Sequence, residues 1–160
     1  MLVLNKYLRE LGINEESWPF NEIAENTKNK SVGKHYDDRY IEKDGFINAE
    51  SFSMDYTLAL IIYSYLCYFR DNCINFGYPA YFELKNGKDK GGEYGHKKWK
   101  KTVDDMILGF KMFIEFEDKA PSILDYPNDY EKWKRDVKKY SRKMNYGMRQ
   151  FIKYFGSLWW

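Results

Sequence analysis

The chain contains little cysteine and little histidine, 2 of each in 160 residues. Cys67 and Cys73 lie six positions apart in an apolar segment. On a helix that spacing turns the side chains to different faces, which argues against a bridge. Both read as core residues of a reducing compartment. With no Cys or His at metal-ligand spacing, the sequence offers no structural zinc site. The glycine-rich stretch Gly87–Gly95 fits neither GxGxxG nor GxxxxGK followed by Ser or Thr, which argues against a P-loop hydrolase. Long hydrophobic runs are missing too. The longest charge-free run, Tyr56 to Phe69, has 14 residues, and a membrane span needs roughly 20. The opening MLVLNKYLREL reads as an amphipathic helix rather than as a secretion signal.

Aromatic residues are abundant: 5 Trp, 15 Tyr and 11 Phe. Each buries a large area, so an aromatic core is stable in a chain of this size. Tyrosine exceeds phenylalanine, which suits grooves and half-wet interfaces. The net charge of +2 conceals blocks. Residues 85–101 hold seven Lys or Arg against two acids, and residues 102–130 hold two against seven. Residues 131–160 hold nine against two. Such polarity implies either pairing between segments within the fold or a basic surface for an anionic ligand.

Hydrophobic periodicity predicts a mainly α single-domain bundle over residues 1–160. Residues 1–50 form N-terminal helices and an irregular segment, and residues 51–160 form the core helices. Leu2 to Leu11 reads as a helix stopped by Gly12, and Ser17 offers a cap for a second. Residues 26–50 read as a loop or a weak β-hairpin, with a turn at Asp44-Gly45. A helix from Ser53 to about Phe76 is apolar nearly all round and is predicted to be central and enclosed. Residues 81–84 read as a short strand, and 85–95 as a mobile basic loop. Helix 97–118 carries the stripe Trp99, Val103, Met106, Ile107, Phe110, Phe113 and Ile114, with four lysines near its start. Cations there oppose the helix dipole, so they point to a bound anion. Asn128, with Glu131 in capping-box position, is the expected cap of the last helix. That helix places Trp133, Val137, Tyr140, Met144, Met148, Phe151, Phe155 and Leu158 along one seam. Gly147 in its interior marks a kink or the close approach of another helix or ligand.

Catalytic candidates are few. His35 beside Asp37 and Asp38 resembles an acid–base pair but reads better as a surface histidine. Asp55, Asp104 and Asp105 read as caps or ion-pair partners, and neither metal nor cofactor is implied. The candidate ligand-binding residues are Lys97, Lys98 and Trp99, with Lys132, Arg135, Lys139, Arg142, Arg149 and Lys153 on the last helix. The basic side chains recur at spacings of three, four and seven, forming a stripe beside the apolar seam. Lysine and arginine bind phosphates, and a neighbouring aromatic ring stacks a base.

Several stretches together resemble a group of small bacteriophage accessory proteins. These are Ser53-Met54-Asp55-Tyr56 opening an apolar helix, Gly77-Tyr78-Pro79, Trp99 with Asp105-Met106-Ile107 and Gly109-Phe110, and the run from Phe151 through Tyr154 and Phe155 to Leu158-Trp159. The resemblance covers residues 52–159 in pieces. It implies a phage-encoded protein acting in the host cytoplasm, countering host defence, taking over host machinery or assisting replication. It brings no catalytic residues. The expected function is therefore non-catalytic binding of an anionic, nucleotide-like ligand such as a host immune signal. The alternatives are an inhibitor or adaptor that binds a host protein, and a nucleic-acid-binding accessory protein. A homo-oligomer is expected, and a membrane partner is not.

Overall fold

The computed structural model of the protein describes residues 4–14, 42–43, 46–47 and 54–158. The helix expected after Ser17, most of the 26–50 segment with His35, the Ser53 cap and the Trp159–Trp160 pair lie outside the described residues. The fold is a mainly helical bundle, as the periodicity predicts. The chain divides into two compact units, Met1–Ser64 and Tyr65–Trp160.

In the first unit, helix α1 covers Lys6–Glu10. The Asn5 side chain accepts from the backbone amides of Tyr7 and Leu8 at 3.1 and 3.3 Å, which caps it. Gly12, with φ +84°, ends the turn, because that left-handed backbone costs glycine little. Strands β1 (Glu42–Lys43) and β2 (Phe46–Ile47) pair antiparallel, the weak hairpin that the sequence suggests.

Helix α2 runs from Met54 to Asn72 and passes from the first unit into the second. It ends four residues before Phe76, where the Ile74 amide turns back to the Phe69 carbonyl at 2.9 Å. Leu58, Tyr65 and Tyr68 are exposed, so α2 is not enclosed on every side. Tyrosine tolerates that position because its hydroxyl reaches water. Both cysteines are free and buried.

The second unit is organised by helix α3, Gly92–Ile114. Of its stripe, Trp99, Val103, Met106, Ile107 and Phe110 are buried, and Phe113 and Ile114, in the last turn, are half-buried. Spacings of three and four keep those side chains on one face of a 3.6-residue helix. Before it, a 3-10 turn at Ala80–Glu83 replaces the strand expected over 81–84, of which only Leu84 is extended, and leads into strands β3 (Leu84–Lys85) and β4 (Lys88–Asp89). The stretch expected to be a mobile loop is thus a hairpin. Asn86 and Gly87, with φ of 53° and 73°, make its two-residue turn. Asn-Gly favours positive φ at both central positions, which matches the twist of paired strands. Two-residue strands are too short to show alternation, so only the dipeptide carried the signal.

The early start of α3 corrects a second expectation. Lys97, Lys98, Lys100 and Lys101 occupy the second and third turns, not the N-terminus, and the acid in the first turn is Glu93. The apparent conflict with the helix dipole disappears, and with it that argument for a bound anion. Short helix α4 (Phe116–Lys119) and a 3-10 turn at Ile123–Asp125 follow.

Helix α5, Tyr130–Tyr154, packs antiparallel along α3. Asp129, not Asn128, is its cap: the Asp129 carboxylate accepts from the Lys132 amide at 2.8 Å. Both residues suit a cap, so sequence alone left the boundary open by one position. Gly147 meets Gly109 of α3. A Cβ on Gly109 would lie 2.7 Å from the Met148 nitrogen, and one on Gly147 would lie 2.7 Å from the Gly109 Cα and against the Asp105 carbonyl oxygen. The expected close approach is therefore helix on helix, backbone to backbone. Among the described residues no helix is long and apolar enough to cross a membrane.

Candidate nucleic-acid interface

Two hydrogen bonds and a set of ring contacts fix how α5 is turned about its axis. Trp133 Nε1 donates to the Pro121 carbonyl at 3.0 Å, and the Tyr140 hydroxyl donates to the Met112 carbonyl at 2.8 Å. Phe151 meets Phe110 edge to face at 5.2 Å, and Tyr154 lies 5.0 Å from Phe82. These anchors hold the apolar seam against α3. At 3.6 residues per turn, the stripe Lys132, Arg135, Lys139, Arg142, Arg149, Lys153 lies nearly opposite that seam rather than beside it. All six are exposed, as are Lys134, Lys138 and Lys143, which complete the outer face.

The acidic block does not neutralise this face. Among the described residues, no ion pair joins any of these nine cations to an acid. Lys101 instead pairs with Asp105 at 3.1 Å within α3, and Lys111 with Glu115 at 4.0 Å. Of the two acids on α5, Glu131 lies in the first turn, and Asp136 accepts a hydrogen bond from the Tyr126 hydroxyl at 2.9 Å. That bond, more than burial, raises the Tyr126 pKa. From Val137 to Tyr154 the helix carries six cations and no acid.

The structure separates some candidates and joins others. Trp99 is 0 % exposed, wedged against Phe69, Phe82 and Tyr154. It belongs to the core stripe and is not available to stack a ligand, and its position in the Val103–Phe110 periodicity already pointed there. Lys97 is simply exposed. Lys98 and Lys153 converge on one aromatic cluster. The Lys98 Nζ lies 5.4 Å from the Phe82 ring centre, and the Lys153 Nζ lies 4.8 Å from that of Tyr154. Tyr81 joins this cluster, stacked 6.2 Å from Tyr154 and 2.8 Å from the Ser157 Oγ through its hydroxyl. Lys132 lies over Tyr126 at 5.7 Å.

The residue that the sequence reading missed is Tyr146. The stripe skips from Arg142 to Arg149, a gap of seven. Tyr146 falls inside that gap, four after Arg142 and three before Arg149, and completes an unbroken three–four alternation from Lys132 to Lys153. It is 53 % exposed.

His96 has a structural place. Its ring stacks on Tyr78 at 5.8 Å, and its Nε2 lies 3.1 Å from the Ile74 carbonyl oxygen. Among the described residues there is no group of three or more His, Cys, Asp or Glu suited to a metal ion.

Comparison with protein-family models, with curated proteins and with solved structures returned no match. The chemistry of the outer face of α5 therefore carries the functional reading.

Proposed function

We propose that the protein binds nucleic acid without catalysis, through the outer face of α5. The observation that carries this reading is a row of nine exposed cations on one helix, with no acid paired to them among the described residues. From Lys132 to Lys153 the face extends roughly 32 Å at 1.5 Å per residue. That length matches roughly nine steps of one B-form strand at 3.4 Å each. A convex row of this length suits a polyanion better than a mononucleotide, which favours an enclosing pocket. The burial of Trp99, the ring expected to stack a small ligand, points the same way. In the setting implied by the phage resemblance, the binding would serve replication or counter-defence.

Fluorescence anisotropy with labelled 20-nucleotide DNA and RNA tests the reading. Binding should weaken steeply with salt, because each phosphate contact releases a counterion. No binding at low salt, by protein whose melting is cooperative, would remove it.

A protein partner is the second reading, favoured by the segment that joins α3 to α5. There Phe116, Ile123, Leu124 and Tyr130 are exposed, Leu124 at 84 %. Glu117, Asp118, Asp125 and Asp129, exposed too, are interspersed with them along the chain, beside exposed Lys119. Apolar residues interspersed with acids suit a basic protein surface. Leu124→Asp should then abolish a stoichiometric complex while leaving nucleic-acid binding intact; a complex that survives it would exclude this segment as the contact.

A further inference from the structure

The gap in the basic stripe distinguishes one kind of nucleic acid from another. A face that bound only phosphates would gain from a seventh cation at position 146, where the alternation of Lys132, Arg135, Lys139, Arg142, Arg149 and Lys153 calls for one. The position holds an aromatic ring instead. Tyr146 is half exposed, and among the described residues it takes no part in the ring contacts that pack the seam on α3. Among the described residues its hydroxyl has no hydrogen-bond partner, so neither the core nor a polar network accounts for it. One helical turn away on either side stand Arg142, Lys143 and Arg149, which is the i, i+3, i+4 neighbourhood on a helix surface.

Tyr146 is thus a neutral flat surface flanked along the helix by Arg142, Lys143 and Arg149. Arg142 and Arg149 are separated by about 10 Å along the axis, at 1.5 Å per residue, with the ring between them.

We infer that the outer face of α5 prefers single-stranded nucleic acid, and that the Tyr146 ring stacks on an unpaired base while the flanking cations hold its phosphates. In a duplex the bases are stacked on one another and offer this ring no open face. In a single strand every base offers one, whatever its identity, so the preference is for strandedness rather than sequence. The inference rests on the reading of α5 as a nucleic-acid interface and goes one step further, to the class of nucleic acid.

The test compares three labelled 20-mers at one salt concentration: a single strand, a duplex, and a single strand of abasic sugar-phosphate. The proteins are the native chain, Tyr146→Ala, Tyr146→Phe and the double variant Arg142→Glu/Arg149→Glu. The native chain should bind the single strand about tenfold or more above the other two. Tyr146→Ala should lose about 5- to 100-fold on the single strand alone, the range of one base–aromatic stack. Its duplex and abasic affinities and its salt slope should not move, and Tyr146→Phe should match the native chain. The double variant should weaken on all three. Equal native affinity for single strand and duplex, or an unaffected Tyr146→Ala, overturns the single-strand inference and leaves the interface reading standing. Absence of binding to all three overturns both. Position 146 is an exposed helical site where alanine favours the helix, so an unchanged thermal melt separates lost binding from lost folding.

Discussion

The inner and outer faces of α5 hold their residues in place by different means. On the inner face specific neighbours restrict the positions that pack: Gly109 opposite Gly147, the Met112 carbonyl opposite Tyr140, Phe110 opposite Phe151. On the outer face the cations are exposed, and among the described residues no acid pairs with them. Packing explains the first set. It explains none of the second, because nine like charges on one helix repel each other and destabilise the fold slightly. Residues that cost stability and are still present are best read as an interface, and this contrast separates scaffold from site within one element.

The largest effect should come from the inner face. Gly147→Val puts a branched side chain against the Asp105 carbonyl and the Gly109 Cα, and backbone cannot yield as a side chain can. The helices must separate, at a cost of about 3 kcal/mol or more. A thermal melt by circular dichroism should show Tm falling by roughly 6 to 12 °C. A variant as stable as the native chain would mean that α3 and α5 do not cross at these glycines.

The outer face should respond in the opposite sense. Arg142→Glu/Arg149→Glu should leave Tm within about 4 °C, since surface changes rarely exceed ~0.5 kcal/mol each. Its affinity for nucleic acid should fall on the order of 100-fold, and its salt slope should flatten by about 1.4 for a single strand. Loss of stability without loss of binding would invert the assignment of the two faces.

A smaller effect is expected at Tyr140, whose hydroxyl donates to the Met112 carbonyl. Tyr140→Phe should cost about 1 kcal/mol, read as a shift in the denaturation midpoint at unchanged slope.

The smallest effect concerns pH at the same residue. Burial, and then the nearby Glu115 charge, raise the Tyr140 pKa in the folded state. The unfolded chain releases this proton at about pH 10. Its contribution is therefore complete below that pH and is lost as pH rises through the higher folded value. Above pH 10 the native chain should lose stability faster than Tyr140→Phe. Parallel stability curves for the two would contradict the assignment.

Much of the fold was legible in the sequence, and the reasons vary by element. The stripe of α3 and the seam of α5 were readable because long amphipathic helices repeat one signal many times. The close approach at Gly147 was readable because an interior glycine needs a reason. The β3–β4 hairpin was not, since its strands are two residues each and its lysines and glycines resemble a loop. The start of α3 was displaced for the same reason: Gly91 precedes it, Gly92 opens it, and no side chain caps it. At the site, the cations could be counted but their pairing could not, because ion pairs with the acidic block depend on tertiary placement. Trp99 was drawn into the site by its neighbours Lys97 and Lys98, although its helical phase assigns it to the core. Tyr146 was overlooked because the stripe was sought as charge alone.

The central claim is that the outer face of α5 binds a polyanion through several phosphate contacts at once. The most direct test is the affinity for a labelled 20-nucleotide single strand from 50 to 200 mM salt. Six engaged cations predict a slope of about −4 in log K against log salt, at roughly −0.7 per contact. A slope near zero, or no binding at the lowest salt, would contradict the account.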